Sequence, residues 1–74
     1  MKFKKDDWVY SKVKRYMILP YKNYKVLDIL VFFDEYILII DETGATVGEF
    51  ANNFELSPEN NILQRKDKLK KLNG

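Results

Sequence analysis

The side chains able to do chemistry in this 74-residue chain are Ser11, Ser57, Thr43, Thr46, five tyrosines, thirteen Lys or Arg and eleven Asp or Glu; histidine and cysteine are absent. Without an imidazole there is no ready general base near neutral pH. Without thiols there is no cysteine nucleophile, no disulfide framework and no zinc ligand set. Gly44, Gly48 and Gly74 are scattered, so no glycine-rich loop can cradle a phosphate. Two acidic pairs, Asp34-Glu35 and Asp41-Glu42, are expected at adjacent ends of one strand, close enough to approach as a carboxylate pair or weak cation site. Both fall in turns, where acidic residues are simply well solvated, so they are read as an acidic surface rather than a metal site. With nothing else paired, the expectation is a protein that is not an enzyme and carries no cofactor or metal.

Binding chemistry is better represented. Trp8, Tyr10, Lys12, Lys14, Arg15, Tyr16, Tyr21 and Lys22 interleave rings with cations over one short stretch, followed by Tyr24 and Lys25. Rings that stack on bases and cations that neutralise phosphates would suit single-stranded nucleic acid. The same rings, large and with few torsions to freeze, suit a protein interface, with Arg15 beside them. The pI of about 8.8 is low for a basic nucleic-acid domain. Met17, Ile18 and Leu19 beside Pro20 and Tyr21 are unusually apolar for a solvated loop, which points to a loop that either plugs the core or docks on a partner.

The net charge of +2 conceals three blocks. Residues 1–25 hold eight basic and two acidic residues, residues 26–60 hold eight acidic and no basic ones, and residues 61–74 hold five basic residues and Asp67. Such blocks either form two oppositely charged faces that steer a partner, or neutralise each other inside the fold. The central block would repel phosphates unless it faced away from them.

The elements that must position these residues are short. A domain of this size buries only about 63% of its unfolded surface, so its core is marginal and must recruit large side chains; Tyr24, Phe50 and Phe54 are assigned to it. Residues 8–14 alternate with Val9, Ser11 and Val13 inward. Residues 24–31 alternate with a one-residue slip across Leu27 and Asp28, which predicts a β-bulge. Residues 36–40 are apolar throughout, which predicts cover on both faces. Asp41-Glu42-Thr43-Gly44 reads as a hairpin turn with Gly44 at positive φ, and strands follow at 46–50 and 54–56 around a single 3₁₀ turn at 51–53. Ser57, Pro58 and Glu59 supply an N-cap, a first-turn proline and a dipole-matched carboxylate for a helix over 58–74, closed by Gly74. Its thin apolar stripe of Ile62, Leu69 and Leu72 is the face expected to dock, if the helix docks at all. No run approaches the ~20 apolar residues of a membrane span, and the lysines near the start lead into Asp6 and Asp7 rather than into a signal peptide's apolar core. A cytoplasmic protein with no membrane contact is expected.

Lys5-Asp6-Asp7-Trp8-Val9, Tyr24-Lys25-Val26-Leu27-Asp28-Ile29, Asp41-Glu42-Thr43-Gly44 and Asn53-Phe54-Glu55-Leu56 resemble, in order, the opening strand, second strand, distal hairpin and closing strand of SH3-like small barrels. The resemblance covers about residues 5–56 and is to the small SH3-like domains found in phages and mobile elements of low-GC bacteria. It implies a mainly β fold, a five-stranded SH3-like barrel over residues 1–57 with a short 3₁₀ turn before the last strand; the C-terminal basic α-helix or tail over 58–74, in the same domain, rests on the residue reading above. The function it implies is a phage or mobile-element accessory protein that binds and modulates or inhibits a host protein through the aromatic-basic face. Two other readings stand beside it: a nucleic-acid-binding barrel using that face, and a structural homo-oligomer that covers the strands within 29–40.

Overall fold

The computed structural model describes residues 2–73. The chain is mainly β, with six strands in two three-stranded antiparallel sheets and one C-terminal helix. The strands are β1 (Trp8–Tyr10), β2 (Tyr24–Lys25), β3 (Asp28–Val31), β4 (Glu35–Ile40), β5 (Thr46–Phe50) and β6 (Glu55–Leu56). A 3₁₀ turn, Ala51–Asn53, separates the last two, and the helix is α1 (Asn60–Asn73). The sheet orders are β2-β1-β6 and β3-β4-β5. No ladder joins the two sheets into a closed barrel among the described residues.

Six strands replace the expected five because the second strand divides. The Val26 N–H donates to the Asp7 carbonyl at 2.8 Å, while the next amide, Leu27, donates to the Leu38 carbonyl at 2.7 Å. Consecutive amides thus serve different sheets, and the slip across Leu27 and Asp28 is a corner rather than a bulge. The first strand also ends early: the Ser11 hydroxyl donates to the Val13 carbonyl at 2.9 Å, closing a local turn that competes with the ladder. Val13, expected inside, is therefore exposed.

The core lies between the sheets and gathers Val9, Tyr24, Val26, Ile37, Ile39, Ala51 and Phe54, with Phe3 and Ile18 added from outside the strands. Ile37 and Ile39 are wholly buried, but Ile40 is exposed and Tyr36 and Leu38 are only half-buried. The apolar β4 therefore has one covered face, not two. Phe50, expected in the core, pairs directly with Tyr36 and points outward with it. Its exposure follows from register, since β5 faces alternate and Val47 takes the inner side.

The hairpin after β4 forms as expected. Asp41 Oδ1 accepts from the Thr43 and Ala45 amides at 2.8 and 3.1 Å and from the Thr43 hydroxyl, and Gly44 takes φ 87°. These donors hold the Asp41 carboxyl below its ordinary value, the Thr43 hydroxyl contributing most. Asp34-Glu35 and Asp41-Glu42 lie at opposite ends of the six-residue β4, roughly 20 Å apart at ~3.4 Å per residue. The two acidic pairs therefore cannot share a cation, and no group of three or more candidate metal ligands converges among the described residues.

Ser57 caps the turn that leads into the helix: its hydroxyl oxygen accepts the Glu59 N–H at 3.1 Å and its carbonyl accepts the Asn60 N–H at 3.0 Å. The α-helical ladder begins only with the Leu63 N–H donating to the Glu59 carbonyl, so α1 starts at Asn60 rather than 58. The helix docks, but not by its apolar stripe. Asn60, Gln64 and Asp67 face the domain, whereas Ile62 and Leu69 are each more than half exposed. Gly74 and the side chain of Leu72 lie outside the described residues. Among the described residues no helix is long and apolar enough to cross a membrane.

Candidate interaction surface

The surface expected to bind is built from β1, β2 and the first loop, residues 11–23. The loop is fixed by a miniature hairpin: Arg15 and Ile18 exchange both backbone hydrogen bonds, at 3.1 and 2.7 Å, around Tyr16 and Met17. Ile18 turns into the core, which anchors the loop, and the Tyr24 hydroxyl accepts the Leu19 N–H at 2.8 Å from below. The Met17 carbonyl accepts the Glu42 N–H at 2.9 Å, joining the loop tip to the β4–β5 hairpin. Ile18 plugs the core, while Tyr16, Met17, Leu19 and Tyr21 stay in solvent.

Tyr16 is 90% exposed and sits at φ 46°; Tyr21 is also exposed, at φ 60°. A side chain with a Cβ pays conformational energy in this left-handed region, on the order of 1–2 kcal/mol. Asp6, at φ 75°, is the third non-glycine residue held in this region among the described residues.

Six of the eight candidate residues fall into three places, while Lys12 and Arg15 lie elsewhere, against Glu55 and Glu49. Tyr10 and Tyr21 stack, ring centroids 5.9 Å apart, and line a cleft of about 190 Å³ with Asn23, Pro58 and Glu59. Trp8 lies in an adjoining cleft of about 310 Å³ that also includes Lys22, Asn23, Lys25, Leu27 and Ile40. Tyr16 and Lys14 remain apart, exposed on the loop. Asn23, which belongs to both clefts, carried no signal in the sequence beyond being a polar loop residue.

The cations are largely neutralised. Lys12 lies 3.2 Å from Glu55, Arg15 lies 2.8 Å from Glu49, and the Lys22 ammonium sits 2.7 Å from one Glu42 oxygen. Lys25 is 3.1 Å from Asp67. The Tyr10 hydroxyl donates to Glu55 at 3.0 Å; that bond raises the phenol's pKa and, with Lys12, lowers that of the Glu55 carboxyl. Basic and acidic blocks thus pair inside the fold. Such part-exposed pairs contribute about 0–1 kcal/mol each; their larger effect is to leave the aromatic face close to neutral. Lys14 has no ion-pair partner among the described residues.

Trp8 is the chain's only tryptophan and is half-buried. Its backbone N–H donates to Asn60 Oδ1 at 2.7 Å and its indole N–H to Asp67 Oδ2 at 3.3 Å. The Asp67 carboxyl is held below its ordinary value of 3.8, first by Lys25 and then by the indole. A carboxyl depressed in the folded state contributes stability above its unfolded pKa, and that contribution is lost as pH falls through the folded value. Intrinsic fluorescence should therefore show an acid transition with a midpoint below 3.8, absent in Asp67→Asn.

Compared with known proteins, the chain matches no family model, no curated protein and no solved structure.

Proposed function

We propose that the chain is an SH3-like small β-barrel serving as a non-enzymatic protein-interaction module. The sheet orders β2-β1-β6 and β3-β4-β5, the second strand feeding both sheets, the long first loop and the 3₁₀ turn before the last strand support that fold reading. The interaction reading is carried by one observation. Lys12, Arg15 and Lys22 are paired with carboxylates while Tyr16 and Tyr21 are left in solvent at strained backbone angles. Such a face offers rings and apolar area, which suits a protein surface better than a phosphate backbone. Its most concrete form, resting on the sequence resemblance, is an accessory protein of a phage or mobile element that occludes a surface of a host protein.

Tyr16→Gly separates binding from stability. Glycine relieves the positive φ, so stability should rise by about 0.5 kcal/mol or more. Loss of an exposed anchor ring should weaken partner capture by about tenfold or more. The experiment is a pull-down from nuclease-treated lysate of the source cells, with thermal melts of both proteins. No partner, or equal capture by the variant, would sink the proposal.

Nucleic acid is the second reading, favoured by one observation away from this face. Lys4, Lys5, Lys25 and Lys68 line a groove of about 170 Å³ with Asp6, Gln64 and Asp67. Tight binding to DNA or RNA that falls steeply with salt and is lost in Lys4→Glu/Lys68→Glu would establish it over the first.

A further inference from the structure

Two apolar faces have no cover among the described residues, and they differ in the charge around them. The first is the outer face of the β3-β4-β5 sheet. Leu30, Tyr36 and Phe50 are aligned across its three strands, and Phe32 adds an edge contact to Tyr36 at 6.1 Å. Tyr36 and Phe50 rings lie 4.8 Å apart. Phe32, Phe50, Leu30 and Ile40 are 73%, 43%, 36% and 48% exposed. At ~200 Å² for a large apolar residue they leave roughly 400 Å² of apolar surface, about half of the ~800 Å² per partner of a standard interface. That is near the apolar share such interfaces carry, ~56–65%. Asp28 lies on this face and Asp34 at its end, neither with a basic partner among the described residues.

The second is the outer side of α1. Docking uses Asn60, Gln64 and Asp67, and at ~100° per residue Ile62 and Leu69 stand on the opposite side of the helix. Arg65 and Lys66 flank them, exposed and without a carboxylate partner among the described residues. Because the stripe points away from the domain that holds the helix, it cannot reach the sheet face of its own chain.

We propose that the protein self-associates head to tail, the Ile62/Leu69 side of α1 in one copy seating on the Leu30/Tyr36/Phe50 face of the next. Charge selects this pairing. Sheet face on sheet face would bring Asp28 and Asp34 against their own copies, and helix on helix would oppose Arg65 and Lys66; only helix on sheet places unlike charges together. A helix laid on a sheet is also an ordinary two-layer packing. A contact between two different patches leaves one of each free at the ends, so it propagates instead of stopping at two. It uses neither Tyr16 nor Tyr21, and stands or falls apart from the partner site.

The test is sedimentation velocity on the full chain from micromolar to millimolar concentration, at low and high salt. Mass should climb past a dimer with concentration and fall back with salt. Ile62→Asp/Leu69→Asp changes side chains that are more than half exposed and should keep the wild-type melting profile, while Phe32→Lys/Phe50→Lys also loses the ring contacts to Tyr36 and should stay folded but melt several degrees lower. Each alone should be monomeric, weakened about 30-fold or more, as for loss of a 2 kcal/mol hot spot. Mixed one to one, the two variants should form a heterodimer that does not grow, because the first retains an intact sheet face and the second an intact helix face. A wild-type monomer throughout, a mass that stops at a dimer, or dimers of the helix variant alone would overturn the proposal.

Discussion

Phe54→Ala is expected to lower the melting temperature by at least ~12 °C and to leave the domain close to unfolding at physiological temperature. Phe54 has no exposed surface and is the largest of the fully buried side chains. It follows the 3₁₀ turn, where its N–H donates to the Ala51 carbonyl at 3.1 Å, and it forms one core cluster with Ala51, Val26 and Ile37. Truncating a buried phenylalanine costs about 3–5 kcal/mol in lost transfer energy and cavity. A chain of this length commonly has only about 4–11 kcal/mol of total stability. No disulfide offsets the loss. Phe33→Ala, at a fully exposed ring, should change stability by less than about 0.5 kcal/mol. Thermal melts followed by far-UV circular dichroism compare the two directly. Similar melting temperatures would show that the core has been misplaced.

Asn60→Ala is the second large effect. Asn60 is buried at the helix start, and its Oδ1 accepts both the Trp8 N–H at 2.7 Å and the Gln64 amide at 3.2 Å. Alanine leaves the Trp8 N–H without an acceptor in a part-buried joint, at a cost of about 1–3 kcal/mol, or roughly 4–8 °C in melting temperature for each kcal/mol. Asn60→Asp keeps an acceptor at that position and adds a negative charge in the first helical turn, where the helix dipole favours it. The buried Asp7 carboxylate, which shares the Gln64 amide at 3.0 Å, opposes that charge, so the variant should melt between wild type and Asn60→Ala. Trp8 fluorescence, which senses the joint, should shift in the alanine variant and not in the aspartate one. Equal behaviour of the two would show that the amide does not hold the helix.

The residues that determine their own local geometry were the ones readable in advance. Asp41 through Gly44 make a turn by hydrogen bonds among themselves, Ser57 caps its own neighbours, and residues 51–53 form the 3₁₀ turn from local preference. The unbroken apolar run of residues 36–40 identified the strand but not its cover, because an uncovered apolar face and a covered one share a composition. The corner at Val26 and Leu27 depended on Asp7 and Leu38, both remote in sequence. Hydropathy favoured the Ile62/Leu69 stripe as the docking face of α1, yet Trp8 and Lys25 presented polar donors that only Asn60 and Asp67 could meet. In the candidate surface the interleaved rings and cations were visible, whereas their neutralisation required Glu49 and Glu55 to arrive from other strands and Glu42 from the β4–β5 hairpin.

The polar seat of α1 also governs how the molecule opens. Asn60, Gln64 and Asp67 exchange their bonds for water when the helix lifts, while Ile62 and Leu69 are solvated in the docked and undocked states alike. Undocking newly exposes parts of the half-buried Leu63 and Trp8 but leaves the core covered, so it carries a smaller heat-capacity change and a shallower dependence on denaturant than global unfolding. Unfolding around Ile37, Ile39 and Phe54 exposes the buried core and depends steeply on both. The chain thus has two opening modes of different thermodynamic character: a local one that responds to acid, and a global one that responds to urea and heat.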